Sequence, residues 1–196
     1  MVCRVTERLT PRARQIVGAA RELLEAEGEE ALSMRNLAQR LGMRAPSLYK
    51  HFEGKDALEA MLISVAFEEQ AGIFHSALEA SRDPLASMAH AYRAYARRHP
   101  QLYRLMHDRA LNRALLVPGI EDAAALPAVI AARGDEDLAR AAWAFAHGMT
   151  ILELNRRFPD HADLDAAWER GISALRASVR KAPASKKSSS SKTSLR

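Results

Sequence analysis

The amino-acid sequence predicts an all-α protein with about nine helices. Aromatic residues make up only 6% of the 196 residues, and alanine, the strongest helix former, is abundant. Apolar residues recur with the spacing of a single helix face through most of the chain, and no segment reads convincingly as a strand. The length suits one ordinary domain, or two small domains that share an element.

Three helices are expected near the N-terminus. They cover residues 12–27, 34–41 and 45–51. Thr10 caps the first helix and Gly28 ends it, while Ser33 caps the second and Gly42 follows it directly. Pro46 fits the first turn of the third helix, where its missing N–H costs nothing. The pattern is therefore a long helix followed by a tight pair of short ones.

The pattern of the remaining residues predicts longer helices and one irregular segment. The helices cover residues 55–81, 84–99, 101–116, 135–158 and 163–181. Residues 117–134 contain two prolines and two glycines, so they are expected to be the least regular part and to hold one further helix. Residues 182–196 are rich in Ser and Lys and are expected to form a disordered basic tail.

The net charge of +5 belongs to the last residues of the sequence, 180–196, rather than to the body of the protein. Residues 180–196 hold six basic groups and no acid, which leaves 23 basic against 24 acidic groups in residues 1–179. Within this nearly neutral body, residues 33–55 carry five basic side chains and only one acid, Glu53. Such a local concentration of positive charge is what a nucleic-acid backbone attracts.

The same stretch has the spacing of a helix-turn-helix unit. Ala38 is small enough to let the second helix cross closely, and Gly42 supplies the turn. Met43 and Leu48 supply the apolar anchors of the turn and of the second helix. A charged helix pair that merely faces solvent is the alternative, but the glycine turn and its anchors favour DNA binding.

These residues resemble the TetR family of transcriptional regulators. The resemblance is strongest over residues 12–60, where Tyr49 is followed three places later by Phe52 and then by Lys55. Trp143, His147 and Gly148 are similar to a W…HG signature found in one C-terminal subgroup, the WHG-type domain. The resemblance implies a DNA-binding domain in residues 1–55 and a helical ligand-binding and dimerisation domain in 56–181, which the expected tail of residues 182–196 follows.

The resemblance also implies which residues bind DNA. Phosphate, base edges and the flanking groove are expected to contact Ser33, Arg35, Arg44, Ala45, Ser47, Tyr49, Lys50, His51 and Lys55. Two alternatives stay open at this point. Tyr49 could pack in the core, or do so while also reaching DNA, and His51 could be an ordinary surface residue.

A small-molecule effector is expected to bind among large apolar and amphipathic residues of the C-terminal part. The candidates are Phe67, Phe74, Met88, Tyr92, Tyr95, Tyr103, Met106, Trp143 and His147. Each could instead be ordinary core, and His147 could simply bond a backbone carbonyl. The histidines show no metal-ligand spacing, so neither a metal nor a cofactor is expected.

The last two helices each carry two apolar sides. On the final helix a stripe of small residues, formed by Ala167, Gly171, Ala174 and Ser178, lies beside a stripe of larger ones. One side can pack on the protein's own body and the other on a second copy, so a homodimer through these helices is expected.

Several other classes of protein are disfavoured by the sequence. It contains no catalytic motif, so an enzyme is not expected, and the single Cys3 allows no disulfide within the chain. A polar N-terminus and the absence of an 18-residue apolar run predict a cytoplasmic protein that does not enter a membrane.

The function expected from the sequence is that of a ligand-responsive regulator, most simply a repressor. It would bind a palindromic operator as a dimer and be released by a small molecule. The alternative is an architectural protein that binds DNA through the basic tail without sequence preference.

Overall fold

The computed structural model describes residues 4–179. Within this range the chain forms ten α-helices and two short 3₁₀ turns and contains no strand, so the predicted all-α class is confirmed. The expected tail, residues 182–196, lies outside the described residues. None of the helices within 4–179 is both long and apolar enough to cross a membrane.

Four helices form the N-terminal part, and the last three follow the predicted order. They are α1 (Val5–Arg8), α2 (Pro11–Glu27), α3 (Met34–Arg40) and α4 (Ala45–Tyr49). Ser33 Oγ accepts a hydrogen bond from the N–H of Asn36 at 3.1 Å, and Thr10 caps α2 in the same way. Gly42 adopts a φ of 61°, the left-handed conformation that turns the chain from α3 into α4. The predicted turn glycine is therefore confirmed.

Six helices follow. They are α5 (Lys55–Glu79), α6 (Pro84–Arg98), α7 (Pro100–His107), α8 (Ile120–Ala131), α9 (Glu136–Leu154) and α10 (Leu164–Val179). Asp83 and Asp135 accept hydrogen bonds from backbone N–H groups of the first turns of α6 and α9, as their positions in the sequence indicate.

The helix predicted over residues 101–116 is wrong in its second half. It ends at His107, and the following segment makes only a 3₁₀ turn at Arg113–Leu115. Leu111 and Leu116 pack on the body from this loop instead, whereas Leu115 is exposed. The loop backbone is held by Ser64, whose Oγ accepts a hydrogen bond from the N–H of Val117 at 3.1 Å.

Residues 117–134 are more regular than their prolines and glycines indicate. They contain the 12-residue helix α8, with Pro127 inside it and buried. The strong helix propensity of its alanines outweighs the one backbone hydrogen bond that proline removes. Arg133 and Gly134 then both adopt left-handed φ values and end the helix.

Two other boundaries differ from the prediction. The four-residue helix α1 was missed because only Val5 of its residues is buried. Helix α9 was predicted to reach residue 158 but ends at Leu154, where Arg156 turns the chain with a φ of 50°.

The buried residues form two hydrophobic clusters, which we call the N-terminal core and the C-terminal core. The N-terminal core joins α1–α4 to the first half of α5 and to parts of α6 and α7. The C-terminal core joins the end of α5 to α6, α7, α9 and α10. Because the N-terminal core extends well past residue 55, α5 belongs to both, and the domain boundary at that residue stays a prediction.

Side chains of α2 also fasten the N-terminal helices to the rest. The Glu25 carboxylate accepts hydrogen bonds from the N–H groups of Gln101 and Leu102, at 3.3 and 3.0 Å, and so caps α7 from outside. Arg21 pairs with Glu69 of α5, which raises the Arg21 pKa. Tyr95 of α6 donates to the same carboxylate.

One charged network joins α6, α9 and α10. The Arg93 guanidinium donates two hydrogen bonds to Glu153, at 2.8 and 3.0 Å, and one to Asp165. It also lies over the ring of Trp168, 5.3 Å from the ring centroid. These ion pairs raise the pKa of Arg93 and lower that of Asp165. The last helix is thereby fixed to the body through a fully buried tryptophan.

Candidate functional site

Helices α3 and α4 present one side to the core and the other to solvent. Leu37 and Leu48 have no exposed surface, whereas the neighbouring Tyr49 is 52% exposed. The alternative that Tyr49 packs in the core is therefore disfavoured, and its ring is free to reach a partner. A large exposed aromatic next to an anchored leucine is a feature that needs a functional explanation.

The other predicted DNA-binding residues share this surface, which we call the reading surface. Arg35, Arg44, Lys50 and His51 are exposed, and Ser33, Ala45, Ser47 and Lys55 are partly exposed. The Ser33 hydroxyl accepts from the backbone, and its O–H remains able to donate to a phosphate oxygen. All nine predicted residues thus lie on α3, α4, their ends or the first residue of α5.

The structure alters the charge of this surface in one respect. Arg40 points back toward α2, where its guanidinium lies 3.7 Å from Glu22 and 3.8 Å from Glu27. Lys55 lies 3.4 Å from Glu59, one turn along α5. Within residues 4–179, Arg35, Arg44 and Lys50 form no such ion pair, so these three cations are the ones free to meet phosphate.

The predicted effector residues separate into two groups. Phe74, Met88, Tyr92 and Tyr103 belong to the C-terminal core, and His147 lies against Tyr103. Phe67, Tyr95 and Met106 instead pack with the N-terminal core. Trp143 is 50% exposed, with its ring 6.1 Å from that of His147. The structure therefore brings together six of the nine.

A chain of polar groups runs through this first group. The hydroxyls of Tyr92 and Tyr103 are 2.9 Å apart, and that of Tyr103 is 2.7 Å from Nδ1 of His147. Burial lowers the pKa of His147 and so favours the neutral imidazole, whose Nδ1 can accept from the Tyr103 hydroxyl or donate to it. Burial also raises the pKa of Tyr92 to about 12. The chain is thus a row of neutral hydrogen-bonding groups within apolar surroundings.

Two further residues, His107 and Thr150, belong with this chain of polar groups, and the sequence analysis did not single out either as a binding residue. His107 Nδ1 donates to the backbone carbonyl of Tyr103 at 2.8 Å, and burial lowers its pKa to about 4. Thr150 is 1% exposed, and its hydroxyl has no hydrogen-bond partner among the described residues. We name Tyr92, Tyr103, His107 and His147 the tyrosine–histidine row. Thr150 gave no signal in the sequence, since it reads as one more residue of an amphipathic helix.

The helix-turn-helix and its exposed cationic surface define a DNA-binding protein of the regulatory class. Two family models match the chain. One, described as bacterial regulatory proteins of the tetR family, covers residues 16–60, and the other, the tetracyclin repressor-like C-terminal domain, covers residues 85–175. The chain belongs to the TetR family of transcriptional regulators, and it is therefore a DNA-binding regulator rather than an enzyme.

Individual relatives agree with this assignment. The chain is 31% identical to the HTH-type transcriptional regulator Rv0681 of Mycobacterium tuberculosis, over 78% of this chain and 74% of that protein. It is 28% identical to the HTH-type regulator YobS of Bacillus subtilis, over 77% and 83% respectively.

Solved structures show the same fold. The crystal structure of the regulatory protein SCO4313 superposes with a TM-score of 0.72 at 27% identity, covering 85% of this chain and 95% of that one. BioQ, crystallised with its double-stranded DNA operator, superposes with a TM-score of 0.62 at 20% identity, covering 89% of this chain and all of that one.

Proposed function

We propose that this protein is a homodimeric, effector-responsive repressor that binds a palindromic operator through its reading surface. The observation that carries the proposal is the separation of roles in α4, where Leu48 is buried in the core and Tyr49 projects into solvent. This geometry holds a helix rigidly while leaving its outer face free, as insertion into a major groove requires. The operator-bound BioQ structure supports it by likeness of fold.

The reading surface is tested by two substitutions and a control. Tyr49→Ala and Lys50→Ala should each weaken binding to the operator, selected from random duplexes, by about tenfold or more. Arg157→Ala removes an exposed arginine from the loop after α9 and should leave affinity unchanged. Lys50→Ala should also reduce, by about one unit, the slope of the logarithm of operator affinity against the logarithm of salt concentration. Unchanged affinity in both variants would place DNA binding elsewhere.

The architectural alternative predicts a different ranking. It assigns the binding energy to the basic residues of 180–196, so deleting 182–196 should abolish binding to operator and scrambled duplexes alike. A repressor that reads DNA with α4 should lose mainly its affinity for scrambled DNA. Comparing both duplexes at two salt concentrations decides between the two.

A dimer through α9 and α10 is supported by apolar surface that a single chain leaves exposed. Leu152 is 41% exposed, and Ala141, Ala144, Ala167 and Ala174 are exposed as well. These residues lie on the two terminal helices of the body, as an interface of four helices between two copies requires.

One member of the predicted small-residue stripe has a different partner. A Cβ added to Gly171 would clash with the ring of Phe145 in the same chain. This glycine therefore permits close packing of α10 on α9 within one chain, and a substitution there would disturb the fold as well as any dimer.

The interface is better tested at exposed alanines. Ala144→Arg combined with Ala174→Arg should convert dimers to monomers, because close packing would bury two unpaired charges. Ala94→Arg, at an exposed position on α6, is the matched control and should stay dimeric. Sedimentation that shows an intact dimer in the double variant would move the interface to another surface.

The effector is proposed to bind at the tyrosine–histidine row, between Phe74, Met88 and Trp143. Neutral hydroxyl and imidazole groups in an apolar setting suit a mostly apolar molecule with a few hydrogen-bonding atoms. Compounds that release the wild-type protein from its operator should fail to release Tyr103→Phe and His147→Gln, while both variants keep operator affinity. Phe67→Leu, a change in the N-terminal core, should respond normally. Equal release of all four proteins would exclude this row.

A further inference from the structure

A groove of about 220 Å³ lies beside the end of α7, and none of the four residues of the tyrosine–histidine row lines it. Its walls are the first turns of α5, the end of α7 and the loop of residues 109–116. Ile63, Leu105 and Leu115 give it an apolar lining, whereas Asp56 and Glu59 supply two carboxylates from one side of α5. The function proposed above makes no use of this groove.

Glu59 is the unusual residue of the groove. It is only 8% exposed, and its Oε1 is buried without a hydrogen-bond partner among the described residues. Lys55 Nζ at 3.4 Å and Arg109 Nη2 at 3.8 Å form ion pairs with this oxygen, but neither donates a hydrogen bond to it. A buried carboxylate oxygen without a donor costs free energy, and a ligand that brings a donor would recover it.

Arg109 has another partner and can give up its place. Its guanidinium pairs with Glu29, in the 3₁₀ turn after α2, and its side chain is 53% exposed. A cationic group that enters the groove can therefore replace Arg109 at Glu59 while Arg109 keeps its pair with Glu29. The ligand would then sit between the loop and the first turns of α5, one turn from Lys55.

The charges and size of the groove restrict what it can hold. Of the charged lining residues, Asp56 and Glu59 are acidic and Arg109, which is paired with Glu29, is basic, so the lining favours a cation over an anion. Residues 4–179 hold no group of three His, Cys, Asp or Glu able to bind a metal ion. The volume lies below the usual range for drug-sized ligands, about 300–1,000 Å³. We propose that this groove is a binding site for a small organic cation, an amine or amidine on a short apolar body, with Glu59 as its counter-ion.

Benzamidine and benzamide test this directly, because they share a shape and differ in charge. Titrations followed by calorimetry should show saturable binding of benzamidine, and benzamide should bind about tenfold more weakly or worse. Glu59→Gln should weaken the binding of benzamidine by about the same factor. Glu136→Gln, an exposed carboxylate on α9, is the matched control and should bind like the wild type.

A second variant keeps the proposal falsifiable if Glu59→Gln disturbs folding. Ala110→Trp places a large side chain at an exposed position of the lining and should block the groove without altering Glu59. Tyr103→Phe, in the tyrosine–histidine row, should bind benzamidine normally. The proposal is overturned if benzamidine does not saturate, if benzamide binds equally well, or if Ala110→Trp binds as tightly as the wild type. Loss of benzamidine binding in Tyr103→Phe alone would also overturn it, by placing the cation at the row.

Discussion

The two cores of this protein are built from different side chains. The N-terminal core is almost wholly aliphatic, with Phe52 and Tyr95 as its only fully packed aromatics among the described residues. The C-terminal core is smaller and contains Phe74, Tyr92, Tyr103 and Trp168. Aliphatic side chains interlock without polar groups and so hold α4 in one position. Hydroxyl and imidazole groups can exchange hydrogen-bond partners, which is what a site that responds to a ligand needs.

The largest effect is expected from Trp168, the centre of the C-terminal core. Trp168→Ala removes a side chain with no exposed surface, its edge-to-face contact with Phe145 and its contact with Arg93. The free energy of unfolding should fall by about 3–5 kcal/mol, measured by urea denaturation. Trp143→Ala is the natural control, since that ring is half exposed, and it should cost less than about 1 kcal/mol. Equal costs would contradict the assignment of Trp168 as the centre.

The next effect separates packing from DNA contact in the N-terminal core. Leu48→Ala should lower the free energy of unfolding by about 2–5 kcal/mol, because it leaves a cavity at a fully buried position. Tyr49→Ala, one residue along, should cost about 0.5 kcal/mol or less while weakening operator binding. Urea denaturation gives the free energy of unfolding of each variant, and operator titration gives the operator affinity of each. A large stability loss in Tyr49→Ala would mean that its ring supports the core.

Lowering the pH should destabilise the C-terminal core before the N-terminal core. Burial lowers the pKa of His107 to about 4, below its unfolded value of about 6.5. The unfolded state therefore binds the proton first, and stability is lost as the pH falls from about 6.5 toward 4. His107 accounts for at most about 3 kcal/mol of this loss, since its ring keeps some contact with solvent.

The His107→Gln variant isolates that contribution. Its stability should fall less between pH 7 and pH 4.5 than that of the wild type, as measured by urea denaturation at each pH. A parallel fall in both proteins would assign the acid sensitivity to other groups.

The smallest effect concerns the backbone between the two reading helices. Gly42→Ala should cost about 1–2 kcal/mol, because alanine resists a φ of 61°. Gly18→Ala, in the interior of α2 with open space around it, should instead stabilise the protein by about 0.5–1 kcal/mol. Thermal denaturation of the two variants should therefore shift in opposite directions, and shifts of the same sign would show that left-handed strain at Gly42 is absent.

The features that the sequence predicted correctly depend on neighbouring residues. The Ser33 cap, the Gly42 turn and the exposed face of α4 follow from spacings of a few positions, and the structure shows each of them. The family signature lies in the same stretch. Local chemistry of this kind can be read from a sequence without knowledge of the fold.

The features that were missed depend on tertiary contacts. Arg40 counted toward the charge of the reading surface, but Glu22 and Glu27 of α2 take it up. Phe67 and Met106 were expected at the effector site, but the packing of α5 and α7 directs both side chains to the N-terminal core. The sequence did not single out Glu59, because a lysine and a glutamate one helical turn apart are a common pair on helix surfaces. Only its burial makes Glu59 unusual, and that burial depends on the fold.

Helix α5 begins at Lys55 and carries Phe74 five residues before its last residue, so it spans from one core to the other. Its 25 residues measure about 37 Å. If a rearrangement near Phe74 pivots this helix by about 5°, its N-terminal end, about 28 Å away, moves by about 2.5 Å. In the proposed dimer, opposite movements of two such helices would change the separation of their N-terminal ends by about 5 Å, against the spacing of about 34–36 Å between successive major grooves. The proposed effector, too small to touch DNA itself, would then act on the reading surfaces through the length of one helix.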